Sequence, residues 1–304
     1  MKRLVIFLVI IITTIFLVDI LFGIFSRHYV QNYKIPGDYR TIDYLIKDTK
    51  DDVIIIGSSV ALNSAIPQII EDSLNMTVWN GACNGQGLPY FETMLEAIFS
   101  HHKPDIILWG MREDELNNYN KGSRYNMLAP YYGLGYKTLD NYIEEGTWFD
   151  KLMAKSNLYR YNTIWIRILL YNFIEPGEKG ERGFIAKGIP SLPPYMIEET
   201  GDTEIEKIGI DKFKTIVDLC NKNNVELICF VPPVYKKYIK QSQALEVTKQ
   251  LCREKNILIY DALQDSTFIN DSSLFFDNDH LNIEGAKIFS YKLSSYLRNI
   301  SINN

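Results

Sequence analysis

The most pronounced pattern along the chain is an almost unbroken apolar run over residues 4–25, in which Asp19 is the single charged side chain. As a helix, these 22 residues would be about 33 Å long, enough to cross a hydrocarbon core of about 30 Å. Lys2 and Arg3 precede the run, and no small-x-small cleavage pattern follows it. We therefore predict that residues 1–29 form a short cytoplasmic stub and a membrane anchor. The alternatives are a cleaved signal peptide and a buried core helix.

Asp19 has two interpretations within this run. A carboxylate inside a membrane is costly and often functional, so it can mark a contact with a membrane partner. Alternatively, it lies near the outer interface of the membrane and is hydrated. The sequence leaves both open.

Beyond residue 50, short β-branched runs alternate with segments of helical spacing. Strands that alternate with helices favour a parallel sheet covered on both faces. The predicted fold class is α/β, a three-layer sandwich with a mostly parallel sheet. It occupies residues 51–304 and follows a linker over residues 30–50. The predicted strands are 53–56, 78–80, 104–110, 225–231 and 257–260, and the predicted helices are 65–74, 89–101, 204–223, 240–255 and 284–298.

The alternation breaks between about residues 118 and 200, which we interpret as an aromatic-rich insertion, helical over roughly 157–173. Its aromatic rings have flat faces with polar tips, so they suit a wall that binds sugar or polymer chains. They suit the insertion's own small core equally well. The tyrosines concerned are Tyr119, Tyr125, Tyr131, Tyr132, Tyr136, Tyr142, Tyr159, Tyr161, Tyr171 and Tyr195.

Composition narrows the class of protein. The chain has 304 residues, 46% of them hydrophobic, and a formal net charge of −5. This excludes a disordered tail protein and makes nucleic acid an unexpected partner. The four cysteines form no Cys/His cluster, so we expect no structural zinc site. Three of them lie in predicted helices or strands, so we expect buried thiols, although an outside location would permit disulfides. We expect no metal and no cofactor. The cysteines are Cys83, Cys220, Cys229 and Cys252.

Two polar segments carry the chemistry. Ser59 stands on the turn that leaves the first predicted strand, and Asp277 and His280 stand just before the last predicted helix. A serine hydroxyl needs a base within hydrogen-bond reach, and a carboxylate best orients that base. The carboxyl ends of parallel strands form the crevice where α/β proteins place their sites. The pattern therefore predicts a nucleophile, a base and an orienting carboxylate at this edge.

Each of these residues also has a simpler interpretation. Ser59 suits a helix N-cap, with Ser58 as the fallback nucleophile. His280 suits a surface turn, and Asp277 with Asp279 suits a carboxylate-rich metal-binding loop, although the calcium-hand spacing is missing. Asp279 alone is expected to be a solvated turn residue.

Together these segments resemble the SGNH (GDSL-like) hydrolase superfamily. Gly57-Ser58-Ser59 resembles its first motif, with Ser59 at the nucleophile position, and residues 80–85 resemble the second. Asp277 and His280 match the last motif, D-x-x-H. The resemblance implies a flavodoxin-like sandwich with a Ser59-His280-Asp277 triad. It also implies an oxyanion hole formed by the backbone N–H groups of Ser59 and Gly85.

The third motif departs from the family pattern. Where the family has G-x-N-D, this chain has Gly110-Met111-Arg112-Glu113, so Arg112 takes the position of the oxyanion-binding Asn. Losing one such donor commonly costs about 10²–10³ in rate. Either Arg112 replaces the Asn as a charged donor, or it simply pairs with Glu113 or Asp114.

This chain combines Gly-Ser-Ser in the first motif with one N-terminal membrane helix and an insertion. In this combination it is similar to the extracytoplasmic SGNH-like proteins of cell-envelope acylation. These include the DltD-like proteins of teichoic-acid D-alanylation and the polysaccharide O-acetylation proteins. The resemblance implies a single-pass protein of the cell membrane whose catalytic domain is extracytoplasmic. It also implies activity as a serine esterase or acyltransferase. The expected partners are an acylated glycopolymer or acyl donor and a membrane-bound O-acyltransferase.

Two alternatives to an enzyme stay open. A non-catalytic scaffold would hold a polymer beside a membrane O-acyltransferase, and the absent third-motif Asn supports it. A phosphate or nucleotide binder at the Gly57-Ser58-Ser59 turn is weaker, because the Gly-x-x-x-x-Gly-Lys pattern is missing.

Overall fold

The computed structural model divides the chain into two compact units. We name residues 1–35 and 124–177 the helical unit, and residues 36–123 and 178–304 the sheet unit. The insertion predicted at 118–200 is thus divided between the two. The described residues are 2–31, 37–117, 127–162, 164–166, 181–199, 205–240 and 242–303.

Seven strands lie in the described residues. They are β1 (Val53–Gly57), β2 (Val78–Asn80), β3 (Ile106–Gly110), β4 (Ile197–Glu199), β5 (Glu226–Val231), β6 (Lys236–Tyr238) and β7 (Leu258–Asp261). Five of them form a parallel sheet in the order β2-β1-β3-β5-β7. The chain steps to one side from β1 to β2 and to the other side from β1 to β3. The sheet therefore has a topological switch point at the carboxyl end of β1.

The α-helices of the described residues follow the same chain order. They are α1 (Lys2–Gln31), α2 (Asp38–Lys47), α3 (Ser59–Leu62), α4 (Pro67–Leu74), α5 (Leu88–Phe99), α6 (Lys137–Glu145), α7 (Trp148–Met153), α8 (Asn157–Arg160), α9 (Lys207–Lys222), α10 (Gln243–Glu254), α11 (Ser266–Ile269) and α12 (Ile283–Asn303).

Helices cover both faces of the five-stranded sheet. Neighbouring residues of a strand point to opposite faces, and Leu108 and Trp109 show both sides. Leu108 shares a buried cluster with Ile70 of α4 and Phe289 of α12. The ring of Trp109 lies 6.2 Å from that of Phe91 in α5 and 5.4 Å from that of Phe213 in α9. The α/β class and the mostly parallel sheet are confirmed, and the layering agrees with a three-layer sandwich.

Residues 38–47, which the sequence analysis assigns to a linker, instead form helix α2 of the sheet unit. Ile42 and Leu45 are fully buried, and a Cβ atom on Gly81 would lie only 2.8 Å from Cδ1 of Leu45. The carboxylate of Asp38 accepts a hydrogen bond from Asn84 at 3.3 Å. The buried apolar positions of the helix are Tyr39, Ile42, Leu45 and Ile46, and their role depends on the surface that they cover.

In the helical unit, α1 is long and apolar enough to cross a membrane. Its most apolar stretch has a mean hydropathy of 3.1, and none of that stretch is buried. The expectation of one N-terminal apolar helix is therefore confirmed.

The tyrosines of the insertion have mixed environments. Tyr131, Tyr142 and Tyr161 are buried with Leu139 in the helical unit, so for these three the small-core interpretation holds. Tyr195 is 80% exposed and belongs to the sheet unit. Part of the predicted 157–173 helix is present as α8, while Tyr119, Tyr125, Tyr171 and residues 167–173 lie outside the described residues.

Asp19 has hydrogen-bond partners within the chain itself, which neither of its two sequence interpretations anticipated. Its carboxylate accepts hydrogen bonds from Ser156 Oγ at 2.7 Å and from the N–H groups of Asn157 and Leu158 at 3.0 and 2.9 Å. The acidic side chain of α1 thus meets the first residues of α8.

Candidate active site

Ser59 lies where the chain leaves β1. Gly57 ends the strand with φ +145°, and a Cβ atom there would lie 2.4 Å from the carbonyl oxygen of Gly110. Only glycine fits this close approach of β1 and β3. The chain then turns directly into α3, and Ser59 is the first residue of that helix. The local sequence therefore places its side chain at the switch point of the sheet.

The two neighbouring serines take different positions. Ser58, not Ser59, is the N-cap of α3, and its side chain makes no capping hydrogen bond. The hydroxyl of Ser58 is buried and has no hydrogen-bond partner among the described residues. The N-cap interpretation of Ser59 is therefore wrong, since that position belongs to its neighbour.

The structure brings Ser59, His280 and Asp277 into one chain of hydrogen bonds. Nε2 of His280 lies 2.8 Å from Oγ of Ser59. Nδ1 of His280 lies 2.8 Å from Oδ1 and 3.0 Å from Oδ2 of Asp277. A neutral imidazole that donates from Nδ1 to the carboxylate has a free lone pair on Nε2 to accept the serine proton.

The environment keeps Asp277 ionised. Partial burial raises the pKa of the Asp277 carboxyl, but the hydrogen bond from His280 and the N–H groups of Asp279 and His280 lower it by more. The net result is a pKa below the ordinary value. The carboxylate can thus both orient the imidazole and stabilise its protonated form.

The turn that carries His280 is fixed at both ends. Asn282 is fully buried, and its side-chain oxygen accepts hydrogen bonds from the N–H groups of Glu284 and Gly285 at 3.0 and 3.1 Å, at the start of α12. Asn278 donates to the carbonyl oxygen of Tyr235 at 3.0 Å. Sequence reasoning gave neither asparagine a role. An asparagine just before a predicted helix is the signal that identifies Asn282 as a cap.

Asp279 does not act as a solvated turn residue alone. Its carboxylate forms an ion pair at 2.7 Å with Lys236, the first residue of β6.

No group of three or more His, Cys, Asp or Glu side chains in the described residues has an arrangement suited to a metal ion. All four cysteines lie in the described residues and carry buried thiols outside any disulfide.

Two backbone N–H groups, those of Ser59 and Gly85, are the predicted oxyanion donors. Ser59 opens α3, so its N–H has no partner within the helix. Gly85 has φ +63°, a left-handed conformation that suits glycine. The loop before it is held by Asn80, which is fully buried and donates to the carbonyl oxygen of Ala65 at 2.9 Å while accepting from the N–H of Ala82 at 3.1 Å. The oxyanion role of Ser59 and Gly85 stays a prediction.

Arg112 follows β3 at the same edge of the sheet. Its Nε donates to Oδ1 of Asp114 at 2.8 Å, and its Nη2 to Oδ2 at 3.3 Å. This two-point pair is one of the alternatives drawn from the sequence. An oxyanion would have to compete with Asp114 for the guanidinium, so the predicted oxyanion role of Arg112 stays a prediction.

Two carboxyl groups, Glu115 buried and Glu113 partly exposed, accept hydrogen bonds in and around the loop after β3. Glu115 accepts a hydrogen bond from the N–H of Arg112 at 3.1 Å. Burial raises the pKa of Glu115 to about 7, against the opposing hydrogen bond and charge of Arg112. Glu113 accepts a hydrogen bond from the Tyr238 hydroxyl at 2.7 Å, and burial raises the pKa of Glu113 as well. Sequence reasoning treated this acidic run only as a set of partners for Arg112.

Comparison with family models and with curated proteins finds no match to this chain.

Proposed function

We propose that this chain is a membrane-anchored, SGNH-like serine esterase or acyltransferase that acts on an acylated cell-envelope polymer or its acyl donor. The observation that carries the proposal is the continuous hydrogen bonding from Ser59 through His280 to Asp277 at the switch point of a parallel sheet. Three side chains from two distant segments meet in the order that acyl transfer requires.

The reaction follows from the geometry in two stages. Oγ of Ser59 attacks the acyl carbonyl carbon while Nε2 of His280 takes the hydroxyl proton. His280 then returns that proton to the leaving oxygen as its bond to the acyl carbon breaks, which leaves the acyl group on Ser59. In the second stage, water or an acceptor hydroxyl attacks the acyl-serine, with His280 again as base and then acid.

Charge develops on the carbonyl oxygen in both stages. The N–H groups of Ser59 and Gly85 would donate to this oxyanion, and removal of one such donor typically costs about 10²–10³ in rate. Asp277 stabilises the imidazolium that forms at the same moment. Exclusion of water from the site would favour an acceptor hydroxyl and thus transfer over hydrolysis.

The proposed location is the outer side of the cell membrane, with α1 as the single crossing. Lys2 and Arg3 precede the apolar run and Arg27 and Lys34 follow it, so the positive charges are not confined to one side. The cytoplasmic N-terminus is proposed because the chemistry of the rest of the chain suits the outer side. The proposed partners are an acylated glycopolymer, or the donor of its acyl group, and a membrane-bound O-acyltransferase.

A second candidate function is a non-catalytic scaffold that presents the polymer to such a transferase. One observation favours it: the residue at the third-motif position, Arg112, has its guanidinium on Asp114. A scaffold has no need of a nucleophile, so the reactivity of Ser59 separates the two candidates.

The deciding experiment uses the full-length chain in detergent. Hydrolysis of p-nitrophenyl acetate and labelling by a fluorophosphonate are compared between the parent, Ser59→Ala and His280→Ala. Loss of either triad member should lower turnover by about 10⁴-fold or more. Ser58→Ala is the matched control, because it removes the neighbouring hydroxyl, which contacts neither His280 nor any other described polar group. It should keep its turnover.

The two measurements together separate the outcomes. Labelling that depends on Ser59 without hydrolysis would identify a transferase that needs its native donor. If the parent chain is neither labelled nor active, the scaffold is the better assignment. Equal labelling of the parent and Ser59→Ala would show that another residue is the nucleophile.

A further inference from the structure

The covered face of α1 begins at Asp19. Side chains from Leu4 to Val18 are all exposed, whereas Gly23 and Ser26 are buried. Asp19, Gly23 and Ser26 are spaced by four and three residues, so they lie on one face of the helix. The N-terminal half of α1 is therefore bare, and a single face of its C-terminal half is covered.

Helix α8 provides part of that cover. A Cβ atom on Gly23 would lie 2.3 Å from Cγ of Asn157, so a larger residue there would displace the Asn157 side chain. The carboxylate of Asp19 accepts from Ser156 Oγ at 2.7 Å, from Asn157 N at 3.0 Å, from Asn157 Nδ2 at 2.9 Å and from Leu158 N at 2.9 Å. These hydrogen bonds give the backbone N–H groups at the start of α8 an acceptor, and they stabilise the charge of Asp19. A charge compensated in this way can lie in an apolar medium.

The length of the bare segment sets the depth of α8. Residues 4–18 comprise 15 residues, which as a helix rise about 22 Å. A hydrocarbon core is about 30 Å thick. If α1 crosses the bilayer, about 8 Å of the core remains to be crossed by the next turns of α1. Those turns contain Asp19 and Gly23, where α8 is attached.

The same unit exposes large apolar side chains close to α8 in sequence. Trp148 is 74% exposed and Trp165 is 40% exposed. Aromatic side chains with one polar atom are enriched at membrane–water interfaces, where the ring is buried and the polar atom hydrated. We name the following set the apolar rim: Trp148, Phe149, Leu152, Leu158, Trp165 and Ile166, all of them exposed.

We infer that α7, α8 and the apolar rim are embedded in the bilayer leaflet at the C-terminal end of α1, with the rim side chains in contact with lipid. The inference rests on the proposed membrane crossing by α1. The occupant is lipid because the rim belongs to the same compact unit as α1 and is attached to it at a depth still inside the hydrocarbon core. Asp19 is the attachment point, and α1 is therefore an intramembrane docking surface as well as an anchor.

The test places a nitroxide spin label on the full-length chain in phosphatidylcholine nanodiscs. Labels at Phe149→Cys and Leu158→Cys report on the rim. The four native cysteines are buried, so the unsubstituted chain should take up no label, and this is checked first. Collision with oxygen, which partitions into lipid, is compared with collision with a water-soluble nickel chelate. Two controls bracket the result: Ile12→Cys on bare α1, and Leu192→Cys on the sheet unit, whose side chain is 83% exposed.

Both rim labels should match Ile12→Cys, with oxygen access high and nickel access lost relative to Leu192→Cys. If Ile12→Cys is in lipid while the rim labels match Leu192→Cys, the embedding is wrong and the anchor stands. If Ile12→Cys is itself open to nickel, the proposed membrane crossing fails first. Rim labels shielded from both reagents would show that protein covers the rim, which also overturns the inference.

A second variant tests the attachment itself. In an Asp19→Leu background, the donors of α8 lose their acceptor, so the label at Leu158→Cys should gain access to nickel. Asp19→Asn keeps one acceptor oxygen and should preserve more of the protection. Unchanged protection in Asp19→Leu would show that Asp19 does not hold α8 in place.

Discussion

Nε2 of His280 lies 2.8 Å from Oγ of Ser59, although 221 positions separate the two residues. The serine is positioned by the end of β1 and the histidine by a turn that Asn282 caps at the start of α12. The backbone position of each residue is set by its own segment and not by the hydrogen bond between them. Substitution of one residue should therefore leave the backbone of the other in place.

Asp277→Asn should lower kcat by about 10⁴-fold with little change in KM, because the amide presents a donor to Nδ1 of His280 and favours the wrong tautomer. The measurement is turnover of an activated ester by the full-length chain. Asp279→Asn is the matched control, since Asp279 pairs with Lys236 rather than with the imidazole. Equal losses in both variants would show that the turn as a whole, not the Asp277 carboxylate, was disturbed.

Arg112→Ala should lower kcat by about 10²-fold if the guanidinium leaves Asp114 to donate to the oxyanion. Arg112→Asn, which restores the residue of the SGNH pattern, should recover part of the loss. Asp114→Ala removes the competing acceptor and should leave turnover unchanged or higher. The measurement is the kcat of the parent and of each variant, determined by steady-state kinetics with one activated ester. An unchanged kcat in Arg112→Ala would assign the side chain to the ion pair alone.

Glu115→Gln should stabilise the sheet unit increasingly as the pH rises from 5 to 8. The pKa of Glu115 is raised from 4.5 to about 7, so the folded state holds a proton that the unfolded state has released, and parent stability falls over that range. Glutamine does not ionise, and the gain in the free energy of unfolding should approach about 3 kcal/mol.

Urea unfolding at pH 5 and pH 8, followed by tryptophan fluorescence, to which the buried Trp109 contributes, measures this difference. Glu198→Gln controls for the loss of one acidic side chain, since that carboxylate is 59% exposed. A gain from Glu115→Gln that is the same at both pH values would contradict the assigned burial effect.

Asn282→Ala should destabilise the chain by about 1–2 kcal/mol, because it removes an N-cap, and it should reduce kcat through displacement of His280. Asn282→Ser retains a capping oxygen and should recover most of the stability. Thermal unfolding and kcat are measured on the same samples. Lost stability with an unchanged kcat would show that the turn keeps His280 in place without its cap.

The five strands of the parallel sheet and the helices α4, α5, α9, α10 and α12 were predictable because their information is local, whereas the short strands β4 and β6 were not predicted. A buried strand such as β1 reads as a β-branched run that ends in Gly57, and the helices carry their own spacing. Helix α2 was missed because Tyr39, Ile42, Leu45 and Ile46 stand in a polar segment of ordinary linker composition. The helix is stabilised by the surface on which it packs, which includes Gly81 and Asn84 from the loop after β2.

The α/β class, the apolar N-terminal helix and the identities of the three triad candidates, Ser59, Asp277 and His280, could all be inferred before the fold was known. Each follows from spacing over a few residues or from residue chemistry. Three contacts became visible only in the folded chain: Ser59, not Ser58, faces His280; Arg112 pairs with Asp114; and Asp19 binds the start of α8. The first and the third join segments far apart in the chain, and their geometry depends on how packed elements converge rather than on any local pattern.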